Sequence, residues 1–319
     1  MDSISQAVLG AAIGEAVLGK KIGNKGAVVG AIIATIPDLD VIFYLFYDKL
    51  EMLSIHRGFS HSILFSILGA LLIAFALSKI KWLQNIKFNR LLLFTWLCLF
   101  THVLLDTFTA YGTQLFLPFS DQRVGFDSVN VIDPLYTVPL IIGLILSLWS
   151  YKSKLKRATF NNYGLLISSL YLIFTLIHKE FVKAEISTRM AQENIEYNSL
   201  LTMPVGIANI NWYGVAKGRD SIYMLKYSIL SDMEDSIEAF PIHEEYLDLI
   251  DKNVAKKMRW FAKGFYTVEK EDNNIRIYNL QVDMRGIIKT GTKKAPTAGY
   301  FEISNKDGNT TFSSGSIKN

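Results

Sequence analysis

His56-Arg57-Gly58-Phe59-Ser60-His61 leads directly into an apolar run that continues to Ser78. Two imidazoles, a guanidinium and a hydroxyl therefore stand at the mouth of a segment of the length that crosses a hydrocarbon core, roughly 20 residues. Ionisable groups beside lipid are expensive to keep and mark function more often than accident. This stretch reads as a loop entering a membrane helix, and that reading sets the fold class. The chain is expected to be mainly α, a multi-pass transmembrane helical bundle followed by a small soluble α+β or β-rich C-terminal domain.

Working outward, residues 1–18 are apolar and carry Gly10 and Gly14 four apart, a spacing suited to close helix packing. The segment is marginal in length for a span. Asp2 at its start, the lack of a basic n-region and Glu15 in mid-run argue against a cleaved signal peptide. Residues 26–47 form a second apolar run, which Pro37 should break, with Asp38 and Asp40 in the turn that follows. Residues 48–58 read as a polar loop, and Ser60 as the N-cap of the next helix. Residues 91–110 form another span with His102 and Asp106 one turn apart on the same face. Shorter apolar runs follow at 135–150 and 162–177.

Lys and Arg gather in the loops at 20–25, 79–90 and 152–157. If the runs between them form hairpins, these loops share one side, and the positive-inside rule makes that side cytoplasmic. The Pro37 break, the His56–His61 loop and the His102–Asp106 turn then fall together on the other side. The metal-type residues played no part in that topology, yet it gathers them.

The 50% hydrophobic content averages two unlike regions, 1–178 and 179–319. The second is expected to be extracytoplasmic. It opens with an amphipathic helix to about residue 198. Strands are expected at 207–215, 221–230, 260–268, 274–284 and 299–304, with a helix at 244–258 and a frayed tail after Lys306. The net charge of +4 is modest, and the Lys and Arg of the apolar region cluster in the short loops between its runs, which suits membrane orientation more than a nucleic-acid footprint. Cys98 is the only cysteine, so neither an intramolecular disulfide nor a cysteine zinc site can form.

The candidate metal residues are Asp38, Asp40, His56, His61, His102 and Asp106. Histidine with carboxylate suits a hydrolytic zinc ion, and manganese or a two-metal arrangement also fits a carboxylate-rich set. Some of the six would orient imidazoles, and Asp38 or Asp40 could serve as a general base. Arg57 and Arg123 are candidate anion binders. Plainer readings stand beside these: Asp38 and Asp40 as helix caps, and a metal-free His102–Asp106 hydrogen bond.

The stretches at Met1-Asp2-Ser3-Ile4-Ser5-Gln6, Pro37-Asp38-Leu39-Asp40, His56 to Ser62 and Thr101-His102-Val103-Leu104-Leu105-Asp106 together resemble one family. So do Gly112-Thr113-Gln114-Leu115 and Ile132-Asp133-Pro134-Leu135-Tyr136. The family is that of bacterial membrane-bound proteins classed as metal-dependent hydrolases, including LexA-regulated inner-membrane proteins, and the resemblance covers about residues 1–150. Many members carry a Thr-His pair where this chain has Ser5-Gln6. The resemblance implies a multi-pass inner-membrane hydrolase with a metal site. The resemblance supplies no substrate; from the ligand types and their shared sidedness, a metal-activated water is expected to act on an ester or phosphoester of a lipid or envelope precursor at the extracytoplasmic interface. The alternative is a non-enzymatic membrane protein whose polar cluster is structural or ion-binding and whose outer domain binds a partner.

Overall fold

The computed structural model describes residues 1–150, 153–230, 237–272, 274–281, 297, 299–306 and 309–316. It divides into two compact units: Met1–Leu45 with Ile55–Leu176, and Phe46–Ser54 with Ile177–Asn319. The basic residue Lys152, the far end of the strand expected at 274–284 and the last residues of the tail lie outside the described residues.

The first unit is helical: α1 (Ser3–Ile22), α2 (Lys25–Ala34), α4 (Ile63–Ser78), α5 (Phe88–Thr107), α6 (Pro134–Trp149) and the first part of α7 (Lys154–Gln192). Asp2 caps α1 by accepting from the amides of Ile4 and Ser5. The glycine spacing has the expected consequence. A Cβ on Gly10 or Gly14 would collide with the carbonyls of Gly30 or Gly26, so α1 and α2 touch backbone to backbone. Between α4 and α5, the Thr95 hydroxyl donates to the Ala70 carbonyl at 3.0 Å. Leu18, Leu91, Phe94, Leu99 and Leu140 lie fully buried in the shared core.

Pro37 ends α2 as expected. The chain bends by 49° and continues as a 3-10 helix, Pro37–Leu45. Downstream, two local readings need correction. Residues 48–58 are not a plain loop, because Asp48 accepts from the Glu51 amide at 2.7 Å and starts α3 (Lys49–Ile55). The N-cap of α4 is Ser62, which accepts from the Phe65 amide, and not Ser60. His61 closes a short 3-10 turn, Phe59–His61, just before that cap.

Among the described residues, two helices are long and apolar enough to cross a membrane: α5 and the stretch Lys156–Gln192 of α7. The number rises to four if each of two bent helix pairs is one span, and α6 is a shorter apolar helix. The apolar run at 162–177 and the amphipathic helix expected after it are one continuous α7. No proline or glycine pair interrupts the sequence there, so nothing stops the helix.

In the second unit, β1 (Ser199–Val205), β2 (Asn211–Lys217), β3 (Ser221–Ser228) and β4 (Glu238–Pro241) form one antiparallel sheet in sequence order. Beyond them lie α8 (Lys252–Phe261), then β5 (Tyr266–Glu271), β6 (Asn274–Asn279), β7 (Gly299–Lys306) and β8 (Asn309–Ser316) in a second antiparallel sheet. Val182, Ile186 and Met190 at the end of α7 pack on Trp212, Ala216 and Leu225. Ile186 fills the place where Gly214 lacks a side chain.

Three further expectations fail here. The strand expected at 207–215 is β2 but starts only at Asn211, because Ala208 and Asn209 are in left-handed turn conformations, and β1 before it was not expected. Trp260 belongs to α8, whose buried Ala255, Met258 and Phe261 follow a helical period. The tail is not wholly frayed, because β8 pairs with β7 and Phe312 stacks on Phe301 at 5.4 Å.

Candidate metal centre

Three pieces of chain build the site. α5 supplies His102 and Asp106 from adjacent turns of one face, both with fully buried side chains. The 3-10 turn before α4 supplies His61, also fully buried. The 3-10 helix after Pro37 supplies Asp38, whose side chain is 20% exposed. One ligand atom from each of Asp38, His61, His102 and Asp106 lies within 4.8 Å of the other three.

The separations are those of ligands around a small ion. His61 Nε2 and His102 Nε2 are 3.2 Å apart. Asp38 Oδ1 is 3.5 Å from each of them, and Asp106 Oδ2 is 3.4 Å from His61 Nε2 and 4.0 Å from His102 Nε2. A tetrahedron with metal–ligand bonds of about 2.0–2.1 Å has edges of about 3.3 Å. Asp106 Oδ2 and His102 Nδ1 are buried without a hydrogen-bond partner. The Arg57 guanidinium is ion-paired to that oxygen at 3.2 Å, but His102 Nδ1 has no partner, and a divalent cation would balance the second carboxylate, Asp38, that Arg57 leaves uncompensated. The donor set therefore fits a divalent metal. At 4.0 Å the metal-free His102–Asp106 hydrogen bond considered from the sequence is not formed.

Asp40 and His56 stand behind this group. Asp40 accepts from the Arg57 amide and the Ser60 hydroxyl, each at 3.0 Å, and meets His56 Nδ1 at 2.9 Å. Its Oδ2 lies 3.4 Å from His61 Nδ1, on the side of that ring away from the other ligands. A carboxylate in this position fixes ring orientation and tautomer and raises ligand basicity. Its bonds tie one turn to another, which is more than a cap would do. His56 is the outermost of the set, with its ring 5.7 Å from that of Tyr111.

Arg57 adopts φ 57°, a conformation that L residues rarely take. Its backbone is held on both sides, by the N–H to Asp40 and by the carbonyl that accepts from Gln114 N at 3.1 Å. The turn aims the guanidinium inward. Nε sits 3.2 Å from Asp106 Oδ2, one Nη donates to Thr109 Oγ1 at 2.9 Å, and the plane covers Tyr111 at 4.9 Å. Arg123 also stacks on Tyr111 at 4.5 Å and donates to that residue's carbonyl.

Thr109 and Tyr111 enter the site although the sequence did not single them out, and so does Gln6, which stands where many members of the resembled family carry histidine. Gln6 Nε2 donates to Asp106 Oδ1 at 3.0 Å and to the His102 carbonyl at 3.2 Å. The Met1 amino group also bonds Asp106 Oδ1. The available signal was an amide within an otherwise apolar helix, where a polar group needs a partner.

Residues 1–182 match the family described as YdjM inner membrane protein. The chain is 30% identical over 180 residues to "Uncharacterized protein YfhP" of Bacillus subtilis (strain 168), covering 54% of this chain and 53% of that protein. It thus spans about half the length of that relative. It is 32% identical over 122 residues to "Inner membrane protein YbcI" of Escherichia coli (strain K12), covering 38% of this chain and 69% of the relative. No solved structure matches. With more than half of its length matched, and with the helices that carry the candidate metal centre inside the match, the chain belongs to the YdjM inner membrane protein family.

Proposed function

We propose that this protein is a membrane-embedded, metal-dependent hydrolase acting on an ester or phosphoester of a lipid or envelope precursor. The observation that carries the reading is the convergence of Asp38, His61, His102 and Asp106, one ligand atom each, inside an apolar helical unit. Two imidazoles and two carboxylates suit zinc, and the oxygen content also admits manganese. Such an ion, when bound, stabilises charge developing on a substrate oxygen and makes water easier to deprotonate.

The chain's own residues then divide the remaining work. Ser60 Oγ, which donates to Asp40, meets His61 Nδ1 at 2.9 Å, and with Asp40 Oδ2 3.4 Å behind it fixes the ring so that Nε2 faces the other ligands. Arg57 brings a permanent positive charge to within 3.2 Å of Asp106 Oδ2 and can steady an anionic group in the reacting position. Asp38 is the most exposed of the four, and its Oδ2 accepts from Ser3 Oγ at 3.3 Å. With His61, His102 and Asp106 as the three holding residues, a fourth position would stay open to water, and Asp38 beside it would take the proton; an ion closed by all four would have no place for water. By the positive-inside rule, the basic loops of the sequence support a site that opens on the extracytoplasmic side of the inner membrane.

A second reading is supported by the Arg57–Asp106 ion pair. It makes the cluster a structural polar network in a non-enzymatic protein whose outer unit binds a partner. Elemental analysis of detergent-purified full-length protein separates the two. Stoichiometric zinc or manganese, lost in His102→Ala, is expected for the metal centre. No metal in the wild type overturns it and leaves the network.

A further inference from the structure

The 3-10 helix Pro37–Leu45 turns once every three residues, so side chains at i and i+3 eclipse and its nine residues sort into three stripes. Pro37 and Asp40 are buried on the inner stripe, whose last residue, Phe43, is 42% exposed. Leu39, Ile42 and Leu45 form the outer stripe and are 62%, 57% and 78% exposed. The third stripe starts with Asp38 and continues through the exposed Val41 and Tyr44. A candidate metal ligand thus heads a ladder of exposed side chains about 12 Å long at 2.0 Å rise per residue.

His61, His102 and Asp106 are fully enclosed, and Asp38 is the one ligand of the four with an exposed side chain. Its surroundings are apolar. Leu39 lies beside it on the 3-10 helix, and Ile4, next to the Ser3 that bonds Asp38, is largely exposed on α1. A water-soluble substrate would gain nothing from this surface. An amphiphile would leave its hydrocarbon on the Val41 and Ile42 side of the ladder and bring its polar group to Asp38. The buried Arg57 cation beside Asp106 then favours an anionic group there.

We infer that the outward face of Pro37–Leu45 is the acyl-chain subsite of the metal centre. Its occupant is a membrane lipid with an anionic phosphoester headgroup, which enters sideways along the Asp38–Val41–Tyr44 ladder. The inference rests on the metal-centre reading and narrows it from esters in general to lipid substrates with hydrocarbon next to the reacting group.

The test uses detergent-solubilised full-length protein loaded with Mn2+ and freed of excess metal. Phosphorus resonances of two probes are followed for paramagnetic broadening: dihexanoyl-phosphatidylglycerol and glycerophosphoglycerol, the same phosphodiester without acyl chains. The lipid is expected to be broadened at a concentration about ten-fold lower or more, the equivalent of roughly two methylene groups leaving water. Val41→Asn with Ile42→Asn is expected to abolish that advantage, while Mn2+ stoichiometry and broadening of glycerophosphoglycerol stay unchanged. Val41→Ala with Ile42→Ala, which keeps the surface apolar but shortens it, is expected to reduce the advantage in part. Equal broadening of the two probes by the wild type, or an advantage that survives both double variants, overturns the subsite. Failure to retain either Mn2+ or Zn2+, read by elemental analysis, overturns the metal centre itself and the subsite with it. Hydrolysis is read separately as a new phosphorus resonance, so binding without turnover removes the hydrolase reading and leaves the lipid subsite standing.

Discussion

Asp40 shows how residues of one type in one short stretch take different tasks. It lies two residues from Asp38, yet its oxygens are occupied by Arg57, Ser60 and His56 while Asp38 faces the imidazoles. Asp40→Asn is expected to weaken metal affinity about 10- to 100-fold without abolishing it, as loss of a carboxylate behind a ligating histidine does. Asp106→Asn, which alters a candidate ligand, is expected to lose metal altogether. Titration with a competing chelator measures both, and equal losses would place Asp40 among the ligands. Motif composition could group the six residues but could not rank them. The ranking depends on which carboxylate oxygen a neighbouring loop occupies.

At the scale of elements, the α1–α2 pair rests on backbone contact at Gly10, Gly14, Gly26 and Gly30. Gly14→Val is expected to force the helices apart and destabilise the helical unit by about 1–3 kcal/mol, as overpacking does. Denaturation monitored by far-ultraviolet circular dichroism checks this, and an unchanged transition would deny the close approach. In the second unit, burial and then the hydrogen bond and charge of Glu244 push the Tyr266 hydroxyl up to about 12. The neutral phenol is thus favoured in the fold relative to an ordinary value of about 10. This contribution to stability is complete below pH ~10 and is lost as pH rises from there through the folded value. Ultraviolet titration should find a tyrosine ionising near pH 12 that moves down in Glu244→Gln. Spacing and turn chemistry made most of these elements legible, including the break at Pro37 and strands β3 and β6. The errors fell where capping chemistry was short-range, as at Asp48 and Ser62, and where β8 is held by pairing with β7 instead of by its own composition.

For the whole molecule, the four candidate ligands all lie in the first unit. A metal that binds only the folded state therefore stabilises that unit, by about 2.7 kcal/mol at a free concentration 100 times Kd. Chelation is expected to lower the thermal transition of the helical unit and leave that of the β-rich unit in place. A shift of both transitions together, or of neither, would contradict a metal site confined to the first unit. Accessibility labelling of single cysteines in the loops at 79–90 and in the second unit tests the orientation, with labels expected from opposite sides of the membrane.

The sequence by itself determined what could be read from near neighbours along the chain. The apolar runs, the Pro37 break, the glycine spacing on α1 and the His102–Asp106 spacing all follow from local sterics and helical period. It also determined which chemistry was available, because histidine and aspartate set among apolar residues must find partners in one another or in a cation. Only the tertiary structure decided which of the six would meet. Asp38, His61 and His102 come from three separate elements, and their distances depend on how a 3-10 helix, a tight turn and α5 pack. It decided as well that Asp38 alone of the four is exposed, heading an apolar stripe, because exposure belongs to the packed surface and periodicity gives only the face.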